Sequence, residues 1–414
     1  MPKTTKKYPS PWKHNLAVIW FAELVAIAGF TVIMPILPLY VRQLGVQGEQ
    51  EVRIWSGIVF SAHAVTMAVS APIWGALSDR YGRKVMVERA MFSGALLIAS
   101  MGFAQSVEQL VILRLMTGAL TGTVTAATAL VATSAPRERA GYALGLLQMA
   151  IYIGASVGPL MGGLVADRFG FRATFLVTGA LLLLAALGVM LFIKEDFEPI
   201  PPPLNEQATT ITIRPTLRRR AWNRLSPVLS SPALRGVMGI RLLMRLGARL
   251  LGPVLPLFIE SIVPAGARVA SITGVISGIS AAAGAAGAIG MGRLGDRVGY
   301  RSILVICALV STVCYIPQYF ISHTTALLLL QAGTGLAMGG ILASLSASLA
   351  RLAPEGQEGI VYGVDASVVS VANSIGPMVG SALAAWMGLR VPFLLAAGIF
   401  AVAGVTAART LQRR

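Results

Sequence analysis

Several ionisable side chains stand inside long apolar stretches of this 414-residue sequence. A charge within a bilayer is costly unless it faces water or a partner, so such residues are candidates for a functional site. The strongest candidates are Glu23, Arg114, Arg241, Arg245, Arg249 and Asp365, with His63 and Arg89 ranked below them. The chemistry open to this set is proton binding by the carboxylates and anion recognition by the arginines.

The two carboxylates, Glu23 and Asp365, are the candidates for proton coupling. Shifting the sequence by 218 positions places Arg241 opposite Glu23, so we expect this acid and base to be symmetry-related partners or near neighbours. An arginine that moved away from the glutamate between two conformations would change its proton affinity. The alternative is a static ion pair. Asp365 could be a second proton carrier, a counter-ion to the arginines or a charge at a helix start.

Three arginines, at positions 241, 245 and 249, recur every four residues and therefore share one face of a helix. Facing a cavity, they would make a positive surface that favours neutral or anionic solutes over cationic ones. Aromatic side chains could stack on a planar solute in the same cavity. The residues predicted to line it are Arg114, Arg241, Arg245, Arg249, Gln331, Tyr152 and Tyr362.

The composition places these residues in a membrane protein. The chain is 55% hydrophobic and 12% charged, with a mean hydropathy of +0.73, which is too apolar for a soluble domain. A net charge of +17 could indicate nucleic acid, but the basic residues stand between apolar runs rather than in one cluster. The first apolar run, from Asn15 to about Val41, is too long for a signal peptide and predicts a retained first helix.

Apolar segments of about 20 residues, the length that crosses a bilayer, predict twelve helical spans. Numbered from the N-terminus as span 1 to span 12, they cover residues 15–41, 53–77, 85–104, 109–132, 141–164, 171–193, 234–259, 269–291, 301–320, 326–350, 359–385 and 389–409. With both termini in the cytoplasm, 23 of the 34 Lys and Arg residues fall in cytoplasmic segments and six fall outside. This asymmetry predicts that orientation in the cell (inner or plasma) membrane.

An internal repeat divides the chain into two halves. PILPLYV at 35–41 matches PVLPLFI at 253–259, and GALSDRYGRK at 75–84 matches GRLGDRVGYR at 292–301, with offsets of 217 or 218 throughout. Parallel repeats of this kind are common in transporters, with the solute site between them at the membrane midplane. We expect an all-α membrane protein of two six-helix bundles related by a pseudo-twofold axis. The predicted domains are residues 1–196, a cytoplasmic linker at 197–231, and residues 232–414.

At these motifs the chain resembles the major facilitator superfamily, and within it the twelve-helix bacterial drug/proton antiporters. The loop Gly75-x-Leu77-x-Asp79-Arg80-x-Gly82-Arg83-Lys84 matches the family's loop signature, and a degenerate copy at Gly292 to Arg301 contains Asp296 and Arg297. Arg114 in Leu-x-x-Arg-x-x-x-Gly is similar to the family's motif in span 4. The run Gly154-x-x-x-Gly158-Pro159-x-x-Gly162-Gly163 is similar to the span 5 motif of exporters, and FIKEDFEP after span 6 is similar to efflux members.

The resemblance implies proton-coupled multidrug efflux by alternating access, in a protein that works as a monomer within the lipid bilayer. The loop residues Gly75, Asp79, Arg80, Gly82, Arg83, Lys84, Asp296 and Arg297 would form a charge-assisted latch between two states. Gly75 and Gly82 would allow close helix approach and a tight turn. In span 5, Gly154, Gly158, Pro159, Gly162 and Gly163 would be conformational residues that let helices pack backbone to backbone.

Two other functions stay open from the sequence. One is uptake or exchange of an organic anion or phosphorylated metabolite, held by the arginine stripe. The other, from a different class, is a receptor-like membrane protein without transport. An enzyme is not expected, because there is no GxxxxGK[ST] run and no His, Cys and carboxylate set with metal-ligand spacing. The expected partners are a small-molecule substrate and protons, without nucleic acid, cofactor or metal.

Overall fold

The computed structural model describes residues 12–136, 139–193, 195, 231–353 and 358–410, except the side chains of Ala76, Asp79, Glu358 and Gly359. Within these ranges the chain forms fourteen helices. They are α1 Trp12–Val32, α2 Leu37–Gln43, α3 Glu49–Tyr81, α4 Arg83–Met101, α5 Val107–Leu120, α6 Thr123–Ser134, α7 Ala140–Phe192, α8 Pro232–Arg249, α9 Val254–Ile262, α10 Val269–Val298, α11 Tyr300–Gln318, α12 Thr324–Leu352, α13 Glu358–Met387 and α14 Val391–Thr410.

The fourteen helices make up the twelve predicted spans. Spans 1, 4 and 7 are each broken into two helices, α1 with α2, α5 with α6, and α8 with α9. Spans 5 and 6 run together as α7 and change direction at Gly170, whose φ of +82° is open to glycine. Ten described segments are long and apolar enough to cross a membrane. Helix α4, span 3, is not among them, because Lys84, Glu88 and Arg89 lower the hydropathy of its first turns.

The all-α fold of two six-helix bundles is confirmed. One hydrophobic core is built mainly from residues between Leu16 and Ile193, and the other from residues between Leu234 and Ala407. The repeat is visible in the backbone, since Gly82 and Gly299 occupy the same turn with φ values of +95° and +88°. The domain boundary at residues 196–197 and the 197–231 linker, all but its last residue, lie outside the described residues and stay predictions.

The spans run between two faces of the molecule, and specific pairs of spans pack on each other. We call the face at which span 1 begins and span 12 ends the terminal face, and the other the distal face. Between the halves, span 2 packs on span 11 and span 5 packs on span 8. Within each half the tightest helix pairs are span 1 with span 5 and span 8 with span 10. The candidate site lies between the halves, next to the broken spans 1 and 7.

Candidate functional site

Small residues close the two halves on each other at the distal face. A Cβ added to Gly163 of span 5 would lie 2.3 Å from the carbonyl oxygen of Ala270 in span 8. A Cβ on Gly274 would lie 2.2 Å from the carbonyl oxygen of Pro159. On the other side of the molecule, a Cβ on Gly57 would lie 2.5 Å from Ser381. These separations leave no room for a side chain, so the halves touch there, backbone to backbone at Gly163 and Gly274 and backbone to side chain at Gly57.

Polar contacts reinforce the same closure. Arg42 at the end of span 1 forms an ion pair with Glu260 at the end of span 7. These two residues are 218 positions apart and therefore equivalent in the repeat, so the pseudo-twofold axis brings opposite charges face to face. The backbone N–H of Ser271 donates to Asp167 Oδ2 at 2.7 Å. Side-chain contacts of this kind can be made and broken as the halves move.

Replacing Gly163 with Ala is expected to prevent this closed arrangement, because the added methyl group overlaps a backbone carbonyl that cannot rotate away. Spin labels at Gln47 and Ala265, in a variant without the native cysteines, should then report a longer distance across the distal face. Gly188→Ala is the matched control, since a Cβ there has open space within 4 Å. An unchanged distance in Gly163→Ala would show that the halves absorb the methyl group elsewhere.

The span 5 motif packs as predicted. A Cβ would lie 2.7 Å from the Leu24 carbonyl oxygen at Gly154, 2.0 Å from Thr31 Oγ1 at Gly158, and 2.0 Å from the Val32 carbonyl oxygen at Gly162. These three glycines thus seat span 5 on span 1, whereas Gly163 faces the other half. Close packing by the motif is confirmed; its conformational role stays a prediction.

A cavity of about 430 Å³ lies between the halves. Its wall combines apolar side chains with a small number of polar ones, the usual composition of a small-molecule site. The polar and aromatic lining residues include Tyr152, Arg249, Ser277, Ser280, Tyr315, Gln331 and Thr334. Gln331 is held by a hydrogen bond from its Nε2 to Gln318 Oε1 at 3.0 Å. Tyr152, Arg249 and Gln331 thus line this cavity, and their contact with a substrate stays a prediction.

The arginine stripe of span 7 is divided between different partners. Arg241 Nε lies 2.5 Å from Asp365 Oδ1, in a pair whose side chains are only 9% and 11% exposed. Arg249 lies in the cavity wall and donates from Nε to Asn373 Oδ1 at 2.8 Å. Arg245, between them, is within electrostatic range of Asp365 and of Tyr152 in span 5. Its Nε is buried without an acceptor.

Glu23 is fully buried in span 1 and faces the break in span 4. Its Oε1 accepts a hydrogen bond from Thr123 Oγ1 at 3.3 Å, and its Oε2 has no hydrogen-bond partner. Thr123 is the first residue of α6, and Gly122 before it has a left-handed φ of +116°. The predicted proximity of Glu23 to Arg241 is wrong, because Arg241 pairs with Asp365 inside its own half.

Four predicted cavity residues, Arg114, Arg241, Arg245 and Tyr362, are not among the residues that line this cavity. Arg114 is 2% exposed, and its Nε donates to the carbonyl oxygen of Val59 at 3.2 Å, so it holds spans 2 and 4 together inside the first half. His63 lies close enough to Arg114 to interact with its charge, and its Nδ1 is buried without a partner. Tyr362 is 46% exposed and is absent from the cavity wall described above. The predicted positions of these four residues in that wall are therefore not found in this structure, and any contact of theirs with the solute stays a prediction.

The loop between spans 2 and 3 is tied to the end of span 6. Both oxygens of Glu195 accept backbone hydrogen bonds at the start of span 3, from Arg83 N at 3.0 Å and Lys84 N at 2.8 Å. Lys84 Nζ also donates to the carbonyl oxygen of Met190 at 3.0 Å. A carboxylate at a helix N-terminus is favoured by the exposed N–H groups and the helix dipole. The sequence indicated this contact only through the acidic residues that follow span 6.

The other predicted latch residues of the loop between spans 2 and 3 differ in their contacts. The side chain of Asp79, predicted to be part of the charge-assisted latch, lies outside the described residues. Arg80 is exposed, and its guanidinium carbon lies 5.5 Å from the centre of the Tyr81 ring. Gly82 makes the expected tight turn. The prediction that Gly75 allows close helix approach is wrong, because a Cβ there would meet nothing within 4 Å.

In the second copy of the loop, Asp296 accepts a hydrogen bond from the hydroxyl of Tyr300. The guanidinium carbon of Arg351 lies 4.7 Å from the centre of the Tyr300 ring, and Arg297 is exposed. The two loops therefore share a backbone turn but differ in their side-chain contacts.

Comparison with known proteins places the whole chain in one family. The profile of the Major Facilitator Superfamily matches residues 19–261 and 237–414. The chain is 34% identical over 406 residues to the "Multidrug resistance protein MdtG" of Salmonella arizonae and of Salmonella typhimurium, covering 98% of this chain and 97% of each relative.

Solved structures share the fold at lower identity. A bacterial homologue of the human lysosomal transporter Spinster, inward-facing and unoccupied, has a TM-score of 0.75 at 16% identity and 99% coverage of both chains. The human organic anion transporter MFSD10 (TETRAN) has a TM-score of 0.67 at 19% identity, covering 96% of this chain and 99% of that one. The chain is a multi-pass membrane transporter without enzymatic activity, and it belongs to the Major Facilitator Superfamily.

Proposed function

We propose that this protein exports small amphipathic compounds from the cell in exchange for protons, by alternating access. The observation that carries the proposal is Glu23, a fully buried carboxyl group whose second oxygen has no hydrogen-bond partner. Burying an ionised carboxylate without a cation is unfavourable, so we infer that Glu23 takes up a proton in this arrangement. Opening the first half to water would release that proton. The multidrug resistance name of the relatives supports an exporter.

The closed distal face supports alternating access. The inter-half contacts at Gly163, Gly274 and Gly57 join the distal ends of the spans. We propose that the terminal face is cytoplasmic, because the Lys and Arg residues are concentrated in the segments on that side. The arrangement described here is then open to the cytoplasm, in the inner (plasma) membrane. Export requires a second arrangement in which the distal contacts part.

Anion transport is a second candidate function, favoured by Arg249 and Arg245. Arg249 presents its side chain to the cavity, and Arg245 has a buried Nε without an acceptor. An anionic group on the solute would pair with Arg249. Such a protein could exchange one organic anion for another without moving protons.

The proposed function is tested in liposomes that contain the purified monomeric protein and a pH-sensitive dye. A proton gradient is imposed, and proton flux is followed on adding cationic, neutral or anionic compounds. Solute-dependent proton flux supports antiport, and the class that responds identifies the charge preference of the cavity. Exchange of a labelled anion without proton flux would replace antiport by anion exchange. Correctly inserted protein that moves no solute of any class would contradict both functions.

A further inference from the structure

Arg89, near the terminal end of span 3, has buried hydrogen-bond donors that no group among the described residues satisfies. Its guanidinium carbon lies 3.4 Å from the centre of the Trp74 ring. The Trp74 ring is itself fixed, because its Nε1 donates to the carbonyl oxygen of Ala119 at 2.7 Å. Arg89 Nε and Nη1 are buried and have no acceptor. Buried polar groups are nearly always hydrogen-bonded, so these two donors indicate a missing acceptor.

Arg89 also lines a cavity of about 230 Å³ between spans 2, 3 and 4. It shares no lining residue with the central cavity between the halves. Ser78 Oγ, also in its wall, is a second buried polar atom without a partner. The absence of a side chain at Gly75 leaves part of this space open. One water needs roughly 10–15 Å³ of such volume, so the cavity can hold a larger group.

The break in span 4 contributes to the same cavity. Thr121, Gly122 and Thr125 lie in its wall, at the start of the twelve-residue helix α6. Gly122 provides no side-chain cap for that helix. The first N–H groups of a helix carry partial positive charge and attract anions. The break thus places the first N–H groups of α6 and the last carbonyl groups of α5 next to the same cavity.

We propose that this cavity, which we call the Arg89 cavity, binds an anionic group, a phosphate or carboxylate, between spans 2, 3 and 4. The guanidinium fork of Arg89 would bind two oxygens of the group, and the Ser78 hydroxyl would donate to another. The remaining wall is mainly apolar, with Met67, Met86 and Ala129 among its residues. This composition accepts the glycerol or acyl part of an anionic lipid as well as a free anion. Both sources present the same chemistry to Arg89.

The place of the Arg89 cavity in the fold gives an occupant a mechanical effect. Its wall contains Gly75, Ser78 and Arg83, which belong to the loop region between spans 2 and 3. Span 2 is also the helix that packs on span 11 of the other half. An anion bridging spans 2 and 3 would therefore stabilise the terminal end of span 2. The thermal stability of the protein should rise when the site is filled.

The test uses the full-length purified protein and measures binding directly. Delipidated protein is titrated with phosphatidylglycerol or phosphatidylcholine, and bound lipids are counted by native mass spectrometry. In parallel, the Tm is measured with added inorganic phosphate at constant ionic strength. Arg89→Gln is compared with wild type, and Arg293→Gln, an exposed arginine at the terminal end of span 8, is the matched control. Should Arg89→Gln fold poorly, Arg89→Lys and Ser78→Ala replace it.

We expect Arg89→Gln to weaken anion binding about tenfold, the effect of losing a hydrogen bond from a charged donor. Arg293→Gln should bind as wild type does. If Arg89→Gln binds one phosphatidylglycerol fewer per protein than wild type, while phosphatidylcholine binding is unchanged, the occupant is a lipid headgroup. A phosphate-dependent Tm rise that disappears in Arg89→Gln identifies a free anion. Equal behaviour of wild type and the Arg89 variant towards both probes would overturn the proposal and leave the cavity to water.

Discussion

Glu23→Gln is expected to abolish solute-driven proton flux, down to the level of liposomes without protein, while the protein still folds and binds its solute. The glutamine side chain has nearly the same size and can still accept the hydrogen bond from Thr123 that Glu23 Oε1 accepts at 3.3 Å. It cannot bind and release a proton. A protonated carboxyl group and an amide are both neutral, so the substitution adds and removes no buried charge, and the Tm of the variant should stay close to that of wild type.

The measurement pairs the dye-based proton assay with solute binding at fixed pH. Glu51→Gln is the matched control, since Glu51 is exposed near the distal start of span 2. It should leave proton flux unchanged. Full proton flux in Glu23→Gln would show that another group carries the proton, and Asp365 would be examined next. Loss of binding together with flux would instead make Glu23 a substrate contact.

The architecture was readable from the sequence because it depends on properties that are summed over many residues. Span length and hydropathy are imposed by the bilayer, and the repeat placed Gly82 and Gly299 in equivalent turns. The span 5 glycines were predicted as packing residues because small side chains at four-residue spacing have little other use in a membrane helix. Span 3 was also predicted, although Lys84 and Arg89 place charges at its start.

Side-chain partners were less predictable, because they depend on how each helix is rotated and where it breaks. The repeat relates Glu23 to Arg241, but each contacts a residue of its own half, Thr123 and Asp365. The same offset relates Arg42 to Glu260, and these two do meet. The difference is position: Arg42 and Glu260 stand at the span ends where the halves meet, whereas Glu23 and Arg241 are buried inside their own halves.

Contacts that join distant parts of the chain also lay beyond sequence reasoning. Glu195 reaches the start of span 3 only because span 6 ends beside it. The break at Gly122 places a helix start next to Glu23, although span 4 reads as one apolar run. Gly75 matches the family loop signature, yet it borders an open cavity rather than a neighbouring helix. A motif therefore located these residues without giving their surroundings.

Asp365→Asn is expected to destabilise the protein more than any other carboxylate substitution proposed here. It leaves the buried Arg241 guanidinium without its ion-pair partner, and both side chains are about nine-tenths buried. Breaking a buried pair by removing one partner typically costs about 3–5 kcal/mol. The free energy of unfolding, measured by reversible denaturation in mixed micelles, should fall by roughly that amount. Glu49→Gln is the control, because its exposed pair with Arg42 is worth about 1 kcal/mol or less.

The double variant Arg241→Gln, Asp365→Asn separates a structural pair from a proton carrier. With both charges removed, most of the lost stability should return, since two neutral amides can hydrogen-bond to each other in the same space. Proton flux should return with it, because Glu23 is retained. A stable double variant without proton flux would assign the proton to Asp365 and make Arg241 the group that moves. Glu23 in the first half would then have a structural role, and the pair of Arg241 and Asp365 in the second half would couple solute movement to the proton.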